Sequence, residues 1–414
     1  MPPADFGVDA PALIALVDAV SEDIVAVRRD LHAHPELAWA EQRTTMAVAE
    51  RLEQAGIKVQ MLPRSGLTAE IGSEDSGPVV ALRADLDALP VQDLTDDPWR
   101  STADGVAHAC GHDVHTASLL GAGLALGALD DQARLPGRVR LLFQPAEEIM
   151  PGGALEVIAG GGLEDVTQVY GLHCDPTVDV GHVGLREGPI TGAADSLSVR
   201  LSGRGGHTSR PHLTQDLTYA LSKLVTDLPA VLSRRLDPRA GASMVWGMIR
   251  AGSARNVIPA VGEASGTLRL LDATAWETAQ EIVTQLVVEI VAPYGVQCEI
   301  DYVRGVPPVV NERGATAVMG SAADSVLGAG SVTGTTQSLG GEDFAWYLES
   351  VPGAMARLGT RTPGGPTYDL HQGDLRVDER AVVAGARILA ASAMRSLRMQ
   401  AVGSRREPTD SITN

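Results

Sequence analysis

Apolar residues recur at helical spacing over residues 10–30 and again over 41–56, where Gly56 supplies a stop. Short apolar runs then take over. Val79 to Arg83 reads as a strand and leads into Asp85 and Asp87. Ser118 to Leu129 reads as a small-residue helix, with Asp113 as its expected N-cap. Arg138 to Phe143, closed by Pro145, and Val169 to Leu172, followed by His173, read as further strands. Strands alternating with helices predict a largely parallel α/β sheet.

From about residue 190 the pattern changes. Ser196 to Leu201 alternates like a half-exposed strand. Helix Leu217 to Leu232, strands Ala242 to Ile249 and Glu263 to Leu270, helix Trp276 to Val291 and strand Val296 to Val303 complete a β-α-β-β-α-β order. That order is ferredoxin-like. Residues 190–305 are therefore expected to be an inserted domain within a discontinuous α/β domain, 1–189 and 306–414. After Pro307 and Pro308, Thr316 to Leu327 and Asp343 to Leu348 read as helices and Met355 to Leu358 as a strand. Asp378 to Leu397 reads as a terminal helix, and the polar stretch Val402 to Asn414 is expected to fray.

Composition narrows the function. Aromatics are only 3% of 414 residues, so the core must rest on aliphatic side chains. The formal charge of 33 − 52 = −19 argues against nucleic acid or an anionic membrane as partner. Three scattered cysteines make no disulfide framework and fit a reducing compartment. Residues 1–20 carry Asp5, Asp9 and Asp18 without Lys or Arg, unlike a secretory signal. A cytoplasmic protein is expected.

The densest chemistry lies between His108 and His115, which hold three imidazoles, a thiol and a carboxylate. One arrangement is a helix presenting His108, His112 and His115 at i, i+4 and i+7. Gly111 and a capping Asp113 favour another, with residues 108–112 extended and Cys110 and His112 on one side as metal ligands. A lone buried Cys would be structural; four neighbouring donors reverse that weighting. Glu147 and Glu148 follow a strand, and extended neighbours point to opposite sides, so one can bind metal while the other serves as general base. Taken alone, such an acid pair is more often a solvated loop end. His173 and His371 carry little weight singly, since a lone His after an apolar strand is commonly a core residue.

Ten motifs occur in order: Leu31-His32-Ala33-His34-Pro35-Glu36; Arg83-Ala84-Asp85-Leu86-Asp87-Ala88-Leu89-Pro90; His108 to Thr116; Gln144-Pro145-Ala146-Glu147-Glu148; Gly171-Leu172-His173; Gly205-Gly206-His207; Asn256-Val257-Ile258-Pro259; Gly266-Thr267-Leu268-Arg269; Glu342-Asp343-Phe344; and Leu370-His371. With these, the chain from Val25 to Leu397 resembles the aminoacylase, hippurate hydrolase and indole-acetyl-amino-acid hydrolase branch of the dinuclear metallopeptidase (amidohydrolase) family. More distantly it is similar to glutamate carboxypeptidase and succinyl-diaminopimelate desuccinylase.

The resemblance implies a zinc-peptidase-like α/β/α catalytic domain and an inserted domain that dimerises and acts as a lid. It implies two divalent ions (zinc, manganese, cobalt or nickel) held by Cys110, His112, Glu148, His173 and His371. Glu147 becomes the general base, and Asp87 lies behind the ligands. His207 reaches the partner subunit's site in a homodimer, and Asn256 and Arg269 hold the substrate carboxylate. The implied reaction is hydrolysis of small N-acyl-L-amino acids. A dipeptidase, a metallocarboxypeptidase or an inactive metabolite-binding relative are the alternatives. Ala107, Thr208-Ser209 and Gly340-Gly341 depart from the usual pattern beside the motifs but replace no ligand.

Overall fold

A computed structural model describes residues 9–73 and 77–404. The chain divides into two compact units. One comprises 1–188, 310–336 and 346–414; the other comprises 189–309 and 337–345. The segment 337–345 in the second unit was expected in the first. It is tied there by Gln337, whose amide donates to the carbonyls of Thr191 and Leu271 at 2.9 Å each. The tail from residue 405, most of the stretch expected to fray, lies outside the described residues.

The first unit is built on an eight-stranded sheet. Its order is Lys58–Met61, Leu67–Ile71, Arg138–Gln144, Val79–Asp85, Val166–Asp179, Gly353–Arg361, Val183–Leu185, Val332–Gly334. Val79–Asp85 runs parallel to both of its neighbours, and Gly353–Arg361 runs parallel to Val166–Asp179. Antiparallel pairs flank this parallel centre. Every position of Val79–Asp85 is buried, as a central strand covered on both faces requires. Leu82, Leu141 and Phe143 are fully buried; each such side chain contributes roughly 1.5–3 kcal/mol.

Helices His112–Asp131 and Arg380–Ser404 pack closely because their contacts are small. A Cβ added at Gly121 would meet Ile24 Cδ1 at 2.7 Å and Ala386 Cβ at 3.1 Å. Close helix approach thus replaces the missing aromatic bulk.

Three expectations change in detail. The single helix expected over 10–30 is two, Ala10–Ala19 and Ser21–Ala33. They part at Val20, whose N–H bonds to Val17 O at 3.2 Å while Ser21 donates its hydroxyl to Asp18 O at 2.7 Å. The strand expected to stop at Leu172 runs on to Asp179. Parallel pairing continues past His173, which faces Arg357 across the ladder. The helix expected to begin after Asp113 begins at His112.

The second unit holds a four-stranded antiparallel sheet in the order Ser243–Ala251, Val261–Leu270, Ala193–Ser202, Gln297–Val306. With helices Leu217–Arg235 and Ala273–Val291 this is the ferredoxin-like arrangement. Buried Asp195 locks it: Trp276 Nε1 donates to Oδ1 at 2.9 Å and Gly305 N–H to Oδ1 at 2.8 Å.

Candidate metal centre

In open α/β sheets, ligands gather beyond the carboxyl ends of the strands. Three central strands here deliver their following residues to one place. Val79–Asp85 supplies Asp85 and Asp87, Arg138–Gln144 leads to Glu147 and Glu148, and Val166–Asp179 carries His173. The fourth contributor is the turn into the His112–Asp131 helix. Gly111 adopts φ +89°, and a Cβ there would lie 2.8 Å from Cys174 Sγ. Only glycine passes this point unstrained, so Cys110 lies before the turn and His112 opens the helix. Asp113 is no N-cap. It sits in the first turn, buried, and its Oδ2 accepts from His32 Nδ1 at 2.8 Å and pairs with Arg28 Nε at 2.7 Å.

The donor atoms converge. Those of Cys110, His112 and His173 lie within 4.8 Å of one another, as do those of His112, Glu147 and Glu148 and those of Cys110, Glu148 and His371. Cys110 Sγ is 3.6 Å from His173 Nε2. His112 Nε2 is 3.8 Å from Glu148 Oε1 and 3.9 Å from Glu147 Oε2. His371 Nε2 is 3.4 Å from Glu148 Oε1. His371 is the exposed member, at φ +63°, and its N–H donates to Ala109 O at 2.7 Å.

Neighbouring groups orient these donors. His173 Nδ1 lies 2.9 Å from the Cys174 carbonyl, an acceptor, so the proton sits on Nδ1 and the Nε2 lone pair faces Cys110. His115 Nε2 accepts the Cys174 N–H at 2.8 Å, and its Nδ1–H therefore donates to Asp85 Oδ1 at 2.6 Å. Arg83 Nη1 donates to Asp85 Oδ2 at 2.7 Å. Asp87 has two tasks. Its oxygens accept the N–H of Glu147 and of Glu148, each at 2.9 Å, and Oδ1 lies 3.4 Å from His112 Nδ1.

Three residues expected at the site lie in the second unit. His207 is exposed and pairs with Val257 in a two-residue ribbon, which places it beside Asn256. Thr208 N–H donates to Asn256 O at 3.2 Å. His207 Nδ1 accepts both the Ser209 N–H at 3.1 Å and the Ser209 hydroxyl at 2.8 Å. A backbone N–H can only donate, so Nδ1 is unprotonated and Nε2 carries the proton. The backbone N–H of residue 209 thus leaves a hydrogen-bond donor at His207 Nε2, and the Ser209 hydroxyl adds a second contact to Nδ1. Arg269 already has a partner, donating from Nη1 to Leu339 O at 2.7 Å.

Sequence reading had no role for Arg83, Arg28 or His32. Arg28 and His32 stand one helical turn apart, a spacing that signals a shared partner, but nothing in the sequence names Asp113 as that partner.

Residues 81–395 match peptidase family M20/M25/M40. The chain belongs to this family. Its M20 relatives include the N-acetyl-L-cysteine deacetylase of Bacillus subtilis, 36% identical over 92% of this chain and 90% of that protein. A Rhodococcus jostii protein named "Putative glutamate--cysteine ligase 2-3" is 48% identical over 89% of this chain, which spans only 46% of that protein's length. Among solved structures, the Bacillus subtilis YXEP protein, described as a dinuclear metal-binding peptidase of the M20 family, is 33% identical, with a TM-score of 0.78 over 92% of this chain and 99% of that one.

The residues of this M20 chain fit a metal. Both ring nitrogens of His112 and Oε1 of Glu148 are buried without a hydrogen-bond partner, an arrangement that is costly unless a cation completes it. Charge points the same way. Burial opposes a proton on His112, yet Asp85, Asp87 and Glu148 push its ring up to about 10. Burial, then Glu148, Glu147 and Asp85, push the Cys110 thiol well above its ordinary value. Such a cluster of acidic groups is short of positive charge, which divalent ions supply while turning a thiol into a thiolate ligand. Burial and Arg357 hold His173 well below its usual value, in the neutral form a ligand needs.

Proposed function

We propose that this protein is a metal-dependent amidohydrolase that cleaves N-acyl-L-amino acids to a carboxylic acid and a free amino acid. The observation that carries this reading is the pair His112 and Glu148, whose ring nitrogens and Oε1 are buried without a hydrogen-bond partner beside Glu147. The deacetylase name of the Bacillus subtilis relative supports the substrate class.

Cys110, His112, Glu148, His173 and His371 would hold two divalent ions. Five donors exceed one tetrahedral site, and a single thiolate among imidazoles and a carboxylate favours zinc, with manganese, cobalt or nickel as alternatives. Such ions polarise a carbonyl and bring the pKa of water near neutrality. Glu147 takes the proton of the attacking water and passes it to the leaving nitrogen. His207 Nε2–H donates to the carbonyl oxygen as charge develops there. We assign it to act from a second copy in a homodimer. Asn256 and Arg269 receive the free carboxylate. Three unpaired cysteines fit a reducing compartment, which supports a cytoplasmic location.

The test is turnover of metal-reconstituted protein on a panel of N-acetyl and N-benzoyl amino acids and dipeptides. Preference for the acyl amino acids is expected. Preference for dipeptides would overturn it in favour of a peptidase, the reading that the family name supports.

A further inference from the structure

At the start of helix Gln42–Gln54, two acids stand where one would suffice. Glu41 occupies the N-cap position, yet its side chain makes no cap hydrogen bond. Glu36 caps instead, accepting the N–H of Arg43 at 3.0 Å and of Thr44 at 2.8 Å. Glu41 is fully buried, where a carboxylate must find donors or destabilise the fold. Its donors belong to other parts of the chain. Oε1 accepts the N–H of Ala146 at 2.8 Å, and Oε2 accepts the hydroxyl of Ser65 at 2.6 Å.

Both contacts converge behind Glu147. Thr45 Oγ1 accepts the Gly66 N–H at 2.7 Å, fastening the loop to the helix that carries Glu41. Gly66 in turn backs directly onto the end of the Arg138–Gln144 strand; a Cβ there would lie 2.6 Å from Phe143 O and 2.7 Å from Pro145 Cδ. Ala146 has φ +53°, in the left-handed region that residues with a side chain avoid. It is the residue immediately before Glu147. The next two N–H groups go to Asp87. Three successive amides, 146 to 148, are thus held by two carboxylates rather than by the sheet.

We propose that Glu41 is a positioning residue for Glu147. Its carboxylate holds Ala146 in the left-handed turn that sets the direction in which Glu147 and Glu148 leave the backbone. The inference rests on Glu147 as the proton carrier of the proposed hydrolysis. Asp87 alone anchors the two amides beyond the turn; Glu41 anchors the turn.

The experiment compares Glu41→Gln, Glu41→Ala and Glu41→Leu with Glu147→Gln in the metal-reconstituted full chain. Glutamine keeps an acceptor for Ala146 and a polar partner for Ser65. Leucine fills the space without an acceptor, which keeps the test open if the cavity of Glu41→Ala prevents folding. Misplacing a reacting group by about 1 Å can cost roughly 100-fold, so kcat should fall about 10- to 100-fold in the Ala and Leu variants. KM and metal content should hold, and the Gln variant should stay within about threefold. Amide hydrogen exchange of residues 144–150 should quicken in the Ala and Leu variants, with the Arg380–Ser404 helix unchanged. Unaltered exchange at 144–150, normal kcat in Glu41→Leu, or equal loss in Gln and Leu would each overturn the inference. If Glu147→Gln itself keeps full turnover, the proton role fails and takes the catalytic part of this inference with it, while the exchange readout still reports on the clamp.

Discussion

The two units carry their polar chemistry in opposite ways. In the first, His112, Asp85 and Asp87 are essentially inaccessible, and Cys110 and His173 nearly so. Their positions are fixed by strands, by the Gly111 turn and by hydrogen bonds from the layer behind. In the second, His207 is exposed on a two-residue ribbon, and Asn256, also exposed, directly precedes the opposite strand. Burial without partners is costly unless an ion completes the cluster, so the first unit reads as a cage. Exposure costs little, so under the proposed function the second unit would be a presenter of His207 and Asn256 to the substrate. Changes in the cage should therefore alter metal binding or proton transfer. Changes in the presenter should alter turnover and leave metal binding untouched.

The strongest test of this contrast is Glu147→Gln. Removing a general base costs about 10²- to 10⁴-fold, and kcat should fall toward the upper end while metal content holds. Normal turnover would sink the proposed mechanism. His207→Ala comes next. Loss of one donor to a developing oxyanion costs about 10²- to 10³-fold, so kcat should fall that far with metal content and Tm unchanged. Mixing Glu147→Gln and His207→Ala subunits should restore part of the activity if His207 acts on a second copy; no recovery would place its action within one chain. Ser209→Ala sharpens this further. Alanine at 209 removes the hydroxyl contact to His207 Nδ1 but keeps the backbone N–H, so the loss should be a small fraction of that in His207→Ala.

Cys110→Ala probes the cage directly. Changing even the groups behind a ligand weakens metal binding about 10- to 100-fold, so losing the thiolate should weaken it by at least that much in a chelator competition. Unchanged affinity would remove Cys110 from the ligand set.

How much of this was legible in the chain follows the same division. Cys110 and His112 stood out because scarce donors were crowded together, whereas His173 and His371, each a lone histidine, gained weight only through the family resemblance. The alternating pattern of Ser196 to Leu201 and its successors exposed the second unit because period-two burial is a local property. Facts set by distant residues were not legible. The helix begins at His112 because Cys174 leaves room only for glycine at 111. Asp113 looked like a cap because its partners, Arg28 and His32, are some 80 residues away. Glu41 carries no signal in the sequence because its acceptor role depends on Ala146, 105 positions along the chain. The sequence marked Ser209 as a departure from the family pattern, but not that its backbone N–H and hydroxyl both reach His207 Nδ1.

The smallest expected effects separate Asn256 from Arg269, which were given one task. Asn256 has an exposed side chain, and its backbone carbonyl accepts the Thr208 N–H. Arg269 is half-buried and donates to Leu339 O, which anchors the segment 337–345 to the sheet. Asn256→Ala should therefore raise KM for N-acyl amino acids by about tenfold, the scale of roughly one net hydrogen bond, with Tm unchanged. Arg269→Ala loses a charge-assisted bond that is partly exposed, and solvent screening reduces its worth. It should lower Tm by a few degrees and raise KM less than Asn256→Ala does. If instead Arg269→Ala raises KM more and leaves Tm alone, the guanidinium serves the substrate carboxylate and its bond to Leu339 is incidental. In that case the exposed ribbon would share its presenting role with a strand of the sheet, and the line between cage and presenter would have to be redrawn inside the second unit.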